Sequence, residues 1–311
     1  MGVSSSSAAS NRAQITSTAQ AISQGPPGSG GTGEVWYVNS GSTTATDGLG
    51  LGTSPLTPFA TVDFAVGQAT ANNDDLIIVM PGHTETIATN SAWAMDKAGI
   101  SVVGLGLGTL RPTFTMTATA SVVLMTAADC AIKNILFVAA TADHTNSIAI
   151  SATDCQVIDC EFRHGSSIEN INGIDIGGGA SVNLADRTRI SGCIFSSPTV
   201  GAFTAILLSE VEDGVVIENC RIFGEYSEAC IHNTASDVLT NLTIKDCMLT
   251  NSTTGQHSIQ LLSACTGNLI RNYYNNDMTQ ATGADVGACW SFQCFHSDAT
   301  DLSAVPSPVI T

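Results

Sequence analysis

Asp186 and Asp213 stand 27 residues apart, and so do Glu210 and Asp237. Two carboxyl groups held roughly 5 to 9.5 Å apart can serve as proton donor and as nucleophile or base in glycoside hydrolysis. A chain that coils with this period would bring each pair face to face. The same oxygens could instead hold a cation, or accept hydrogen bonds from turn backbone, the usual duty of Asp beside a tight turn. Turn formation is the expectation for both pairs. A lyase would add a basic side chain to take the sugar proton. Arg163, Arg187, Arg189 and Arg221 are the basic residues of this stretch; they match no lyase arrangement, and Arg221 is expected to face solvent. Glu218 and Lys245, again 27 apart, read as an ion pair between neighbouring coils. No residue is assigned a catalytic, cofactor-binding or metal-ligating role.

The six histidines, His83, His144, His164, His232, His257 and His296, fall at no metal-ligand spacing and read as solvated loop residues. Glu225, Tyr226 and Glu228 read as an exposed acidic and aromatic patch on which a sugar could stack.

Ten cysteines could be disulfides, ligands, nucleophiles or core filler, and no Cys-x-x-Cys occurs. Cys160, Cys193, Cys220 and Cys247 follow one another at 33, 27 and 27 residues, each inside a similar unit. The units are Ile132 to Phe137, Val157 to Phe162, Ile190 to Phe195, Ile217 to Ile222, Ile244 to Leu249 and Ile270 to Asn275. Their central residues are Asn134, Asp159, Gly192, Asn219, Asp246 and Asn272, types that tolerate a left-handed backbone. A strand that turns there resumes at a new angle and shifts its alternation by one, so that residues such as Ile217, Cys220 and Ile222 all point inward. An apolar pair of alternating pattern trails each unit, as in Ile174 and Ile176. A coil of about 27 residues with two or three short parallel strands follows. The four cysteines are then a ladder of small reduced core side chains, with Cys130 and Cys155 repeating at a second corner and Cys289 and Cys294 outside the register.

Composition excludes the helical alternatives. Only 12% of residues are charged, with 3 Lys and 7 Arg, whereas Gly alone reaches 29. Surface helices need the long polar side chains that are missing here, and strands and turns use what is present. The formal charge of −17 repels a phosphate backbone, so no direct nucleic-acid contact is expected. No 18-residue apolar run and no secretory leader pattern is found, so neither a membrane span nor export is expected.

Four segments result. Residues 1–33, rich in Ser, Ala, Gly and Pro, read as a docking strap whose few apolar residues, Val3, Ile15 and Ile22, would contact a partner. Residues 34–75 read as a capping strand, loop and helix, the helix over Phe59 to Ala69. Residues 76–275 are the repeat, and 276–311 a terminal cap or contact segment.

The run Trp36-Tyr37-Val38, Asp47-Gly48, Ser54-Pro55 to Val62 and Asp75 to Thr84 resembles the opening of right-handed parallel β-helix repeat proteins. The resemblance covers about 34–275. It implies an all-β, single-stranded right-handed parallel β-helix (solenoid) with an N-terminal capping helix. That family resembles both polysaccharide lyases and hydrolases and structural proteins of tailed bacteriophages. The expectation drawn from it is a non-enzymatic virion component without cofactor, a capsid decoration or cement protein on a major capsid or other virion protein, homotrimeric through its flat faces and assembled in host cytoplasm. The alternative is a tail spike or fibre that binds or cleaves a host glycan, or a polysaccharide lyase or hydrolase.

Overall fold

A computed structural model describes residues 33–164, 170–178, 184–233, 238–276, 284–297 and 302–304. Val3, Ile15, Ile22 and Asp237 lie outside the described residues. Apart from α1 (Val62–Gln68) and one turn of tighter helix, the described elements are short strands. They stack into three sheets of ten, eight and ten strands. Each coil contributes one strand to each sheet in turn, as with Gln156–Ile158, Glu161–Arg163 and Asn170–Ile176. We number the sheets in that order. Every pairing is parallel except the last, in which Leu302–Ala304 runs antiparallel to Phe295–Ser297. This is a right-handed parallel β-helix.

Two left-handed residues bend each coil. One joins the first strand to the second, at Asn134, Asp159, Gly192, Asn219 and Asp246 with φ between 53° and 67°. The other joins the third strand to the next coil's first, at Asp129, Asp154, Arg187, Gly214 and Asn241 with φ between 52° and 72°. Asx residues and Gly bear this conformation at low cost; Arg187 bears it with a compensating ion pair.

The last corner departs from the expected phase. Arg271, with φ 51°, makes the turn, not Asn272. Leu269 rather than Ile270 is the register partner of Ile244, so the unit sits one residue earlier than Ile270-to-Asn275 spacing suggests. Asn272 therefore occupies the slot that cysteine fills below it. It is fully buried, donates to the Ile244 carbonyl at 2.8 Å and accepts from the Cys247 N–H at 3.0 Å. A polar side chain is tolerated in the core because both its ends are bonded.

Cys160, Cys193, Cys220 and Cys247 are buried in one column, and Cys294, 22 residues beyond Asn272, extends it. Each thiol leans on the carbonyl two residues before it, as Cys220 does on Glu218 at 3.3 Å and Cys294 on Phe292 at 3.7 Å. Cys289 is buried too, its Sγ 3.6 Å from the Cys265 carbonyl. Both terminal cysteines thus belong to the register that spacing missed, because the coil there is shorter. For the same reason the stack does not stop at Asn275: Ala284–Val286, Trp290–Phe292 and Phe295–Ser297 continue all three sheets.

Beside the thiols runs an aromatic ladder on the second sheet. Phe114, Phe137, Phe162 and Phe195 are in register, and the Phe162 and Phe195 rings stack at 4.5 Å and 4°. Identical side chains one coil apart adopt the same rotamer and pack face to face.

At the N-terminal end, Val35–Val38 pairs with Leu76–Val79, and α1 lays Val62, Ala65 and Val66 into the same core. The helix starts at Val62 because Phe59 bridges Val38 and is buried, which leaves Thr61 as the N-cap. Glu85 accepts the Val62 N–H at 3.1 Å, and Lys97 donates to the carbonyls of Gly67 and Ala69 at 2.6 and 2.7 Å. Both ends of the helix are therefore satisfied by side chains of opposite sign.

Candidate functional site

The carboxylates singled out by spacing sit at the corner between third and first sheets. Asp186 accepts the Asp213 N–H at 2.7 Å. Asp213 in turn accepts from the Thr240 hydroxyl at 2.5 Å and the Asn241 amide at 2.7 Å. Arg187 grips Asp154 with two hydrogen bonds of 2.7 and 2.6 Å. Those partners hold Asp154 and Asp213 below the usual carboxylate range. These groups are committed to fastening coil to coil. Similar fastenings are Arg271 on Asp246, and Glu218 between Lys245 at 2.8 Å and Arg189. Glu218 is held low by Lys245 first and Arg189 second, so the expected pair is a triad. Among the described residues Arg221 stands outside these pairs and is exposed, and no group of three or more His, Cys, Asp or Glu could hold a metal.

Glu212 gave no sequence signal. It occupies the inward slot two residues before a left-handed corner, where other coils place Ala152, Ala185 and Leu239. Only 1% exposed, it accepts the Ala185 N–H at 3.0 Å through Oε2 and leaves Oε1 without a partner. Burial pushes its carboxyl up to about 7, with Asp186 and Glu210 adding to the shift.

His83 and His144 are not solvated, although His83, like His164, does lie in a loop. His83 is buried, its Nδ1 accepting from the Ser40 N–H at 3.0 Å, so that Nε2 donates to Glu85 at 3.1 Å. His144 is buried against the Ser121 carbonyl. Tyr226 is not an exposed stacking platform either: it is fully buried, because the coil turns it into the core beside Cys230.

What the repeat did not announce is a column on the outer face of the third sheet. Ala149, Asp175, Leu207, His232 and Gln260 are in register across five successive strands. Ile174 and Ile176 face the core on either side of Asp175, so alternation turns Asp175 outward. Even so it is largely covered. It accepts from the Ser209 hydroxyl at 2.5 Å and the Asn146 amide at 3.1 Å, and burial raises its pKa against those two bonds. Two strand steps on, about 9.6 Å at the usual spacing, stands His232, its ring edge-on to Phe203 at 5.2 Å and 89°. Burial lowers the His232 pKa while Glu228 and Gln260 oppose it. His164 is pushed down to about 4 by burial and by His144.

Unmet hydrogen bonding is found on this face, as at several other places among the described residues. His232 Nδ1 and Gln260 Oε1, one strand apart, are shielded from water and close no hydrogen bond of ordinary geometry, although the two side chains interact with each other. Shielded polar atoms without well-formed bonds are costly. Phe203 and Leu207 supply an apolar surface alongside. Such a strip suits a ligand with hydroxyl donors on its rim and C–H on its face, repeated along the solenoid axis.

No family model matches the sequence, and no curated protein matches it. Among solved structures the chain is similar to a rhamnogalacturonan lyase, at 13% identity and TM-score 0.45 over 89% of this chain and 90% of that one. It is also similar to pectate lyase Pel9A, at 15% identity and TM-score 0.49 over 85% and 77%. A third likeness is to an alginate lyase from Paenibacillus sp. str. FPU-7, at 15% identity and TM-score 0.35 over 73% and 95%. At these scores the likenesses carry neither substrate nor site to this chain.

Proposed function

We propose that this protein is a structural β-helix that holds a neutral polysaccharide along the outer face of its third sheet, in the setting of a tailed-bacteriophage spike or fibre. The observation that carries the reading is the pair of polar side chains on adjacent strands of this face, His232 and Gln260, whose Nδ1 and Oε1 close no hydrogen bond of ordinary geometry. Sugar hydroxyls, which both donate and accept, would bond to them, and Phe203 and Leu207 would pack against the ring. A net charge of −17 disfavours an acidic polymer. The protein binds without cleaving, because both oxygens of Asp175 are engaged and Asp186 and Asp213 are spent on the neighbouring coil.

Binding of the full chain to an array of neutral and acidic bacterial polysaccharides tests this, with polymer length followed in parallel. Retention of a neutral glycan, loss of it in His232→Ala and Gln260→Ala, and unchanged polymer length are expected. Failure to bind any neutral glycan, or equal binding by both variants, overturns the reading. Depolymerisation that disappears in Asp175→Asn would restore the enzyme.

A capsid decoration protein is the second reading. It is favoured by the investment of charge in coil-to-coil fastening, at Arg187–Asp154, Arg271–Asp246 and the Glu218 triad, which suits a rigid strut. Antibody label over the heads of purified particles supports decoration, and label over the tails supports the spike.

A further inference from the structure

The two ends of the solenoid are finished differently. At the N-terminal end α1 lays its apolar side into the core. At the other end the second sheet closes on the antiparallel strand Leu302–Ala304, while the first sheet ends at Trp290–Phe292 with no described strand beyond it. Edge strands are ordinarily protected by charge, by Pro or by a covering segment. This one has the opposite character. From Val286 to Ser297 there is no Asp, Glu, Lys or Arg, in a chain whose net charge is −17. Trp290, Phe292 and Phe295 are 54%, 62% and 57% exposed, and they follow Met248, itself half exposed, up the same corner.

We infer that this end is an interface between two copies of the chain, joined end to end about a two-fold axis. Three features favour a second copy over a foreign partner. Two bodies of −17 repel wherever their acidic surfaces meet, and the terminal coil is a face on which none of the opposed residues carries charge. A two-fold axis presents the same strand to itself in antiparallel sense, and an antiparallel strand is what the adjoining second sheet already accepts at this end. Ser291 is buried between two exposed aromatics, so an antiparallel pairing centred on it sets Trp290 of one copy opposite Phe292 of the other, twice, on a single face. Aromatic cross-strand pairs of that kind stabilise sheet edges. The assembly would be one continuous rod with its capped N-terminal ends outward.

Sedimentation of the full chain across a micromolar concentration series tests the inference. Two copies are expected, together with a blue shift of tryptophan emission as concentration rises. That shift reports Trp290, since Trp36 and Trp93 are already buried. Phe292→Lys, which alters an exposed side chain, is expected to sediment as one copy with an unchanged thermal midpoint and an unchanged glycan-binding profile, the last separating this interface from the third-sheet face. A wild-type monomer with concentration-independent emission overturns the proposal, and so does a trimer, or a Phe292→Lys protein that still pairs. Should that variant fail to fold, the emission series on the wild-type chain decides alone.

Discussion

Glu212 lies directly in the column that Leu239 fills one coil later, so that a carboxyl group and an isobutyl group occupy equivalent inward positions of the same core. The carboxyl is raised to about 7 in the folded chain, against an ordinary glutamate value near 4.3 when unfolded. A group whose folded pKa is raised adds stability that is fully present below the unfolded value and is lost as pH climbs through the folded one. The window here is about pH 4 to 7. Thermal unfolding should therefore show a higher midpoint at pH 5 than at pH 8, by on the order of 2 to 3 kcal/mol from this residue. Glu212→Gln should remove most of that slope by stabilising the protein at pH 8, and an unaltered slope in the variant would place the titration elsewhere.

The phase of the last corner makes opposite forecasts for two adjacent residues. Asn272→Ala leaves the Cys247 N–H and the Ile244 carbonyl without partners in the core, at about 1 to 3 kcal/mol. Arg271→Gly gives up the Asp246 pair but relieves a left-handed backbone, and its midpoint should stay near that of the wild type. Urea unfolding of the two variants side by side measures the contrast. Equal destabilisation would return the turn to Asn272.

Ile217→Asp puts an unpaired carboxylate on the inner face of the first sheet between Ile190 and Ile244. That cost exceeds the stability of most domains. The variant should be insoluble or lack the β signal in circular dichroism, while Arg221→Ala, on an exposed position, should be indistinguishable from the wild type.

Salt should expose the fastenings between coils. Asp154→Asn breaks the two-bonded contact with Arg187, a largely exposed side chain, so the loss of thermal midpoint should be small at low ionic strength. In molar salt the difference between variant and wild type should vanish. A difference that survives salt would mean that Asp154 holds the corner through its backbone conformation instead.

Much of this architecture was legible in the chain because a β-helix repeats its geometry, and therefore its residue types, at every coil. Asp159, Gly192, Asn219 and Asp246 could be read as corners from chemistry alone, since few other side chains accept a positive φ cheaply. Arg271 and Gln293 could not, for they pass the same torsion with no compositional mark. Coil length hid Cys294 in the same way. The third-sheet face was invisible for another reason: Ile174-Asp175-Ile176 and Ile231-His232-Asn233 read as ordinary half-buried strands. Only register shows that Asp175, His232 and Gln260 share one line. His83 and His144 were read as solvated because a histidine in a polar context looks so until its burial and its bonded partners are seen.

Strand partners throughout the stack are about one coil apart in sequence, and the described pairings join neighbouring coils. Pulled by its two ends, such a chain is loaded along a series of coils and not across a single shared core. It should give way one coil at a time from a terminus, each release freeing about 27 residues, or on the order of 90 Å of contour length. The force record should be a train of small steps graded by coil length, with the stacked Phe137, Phe162 and Phe195 marking where the train pauses.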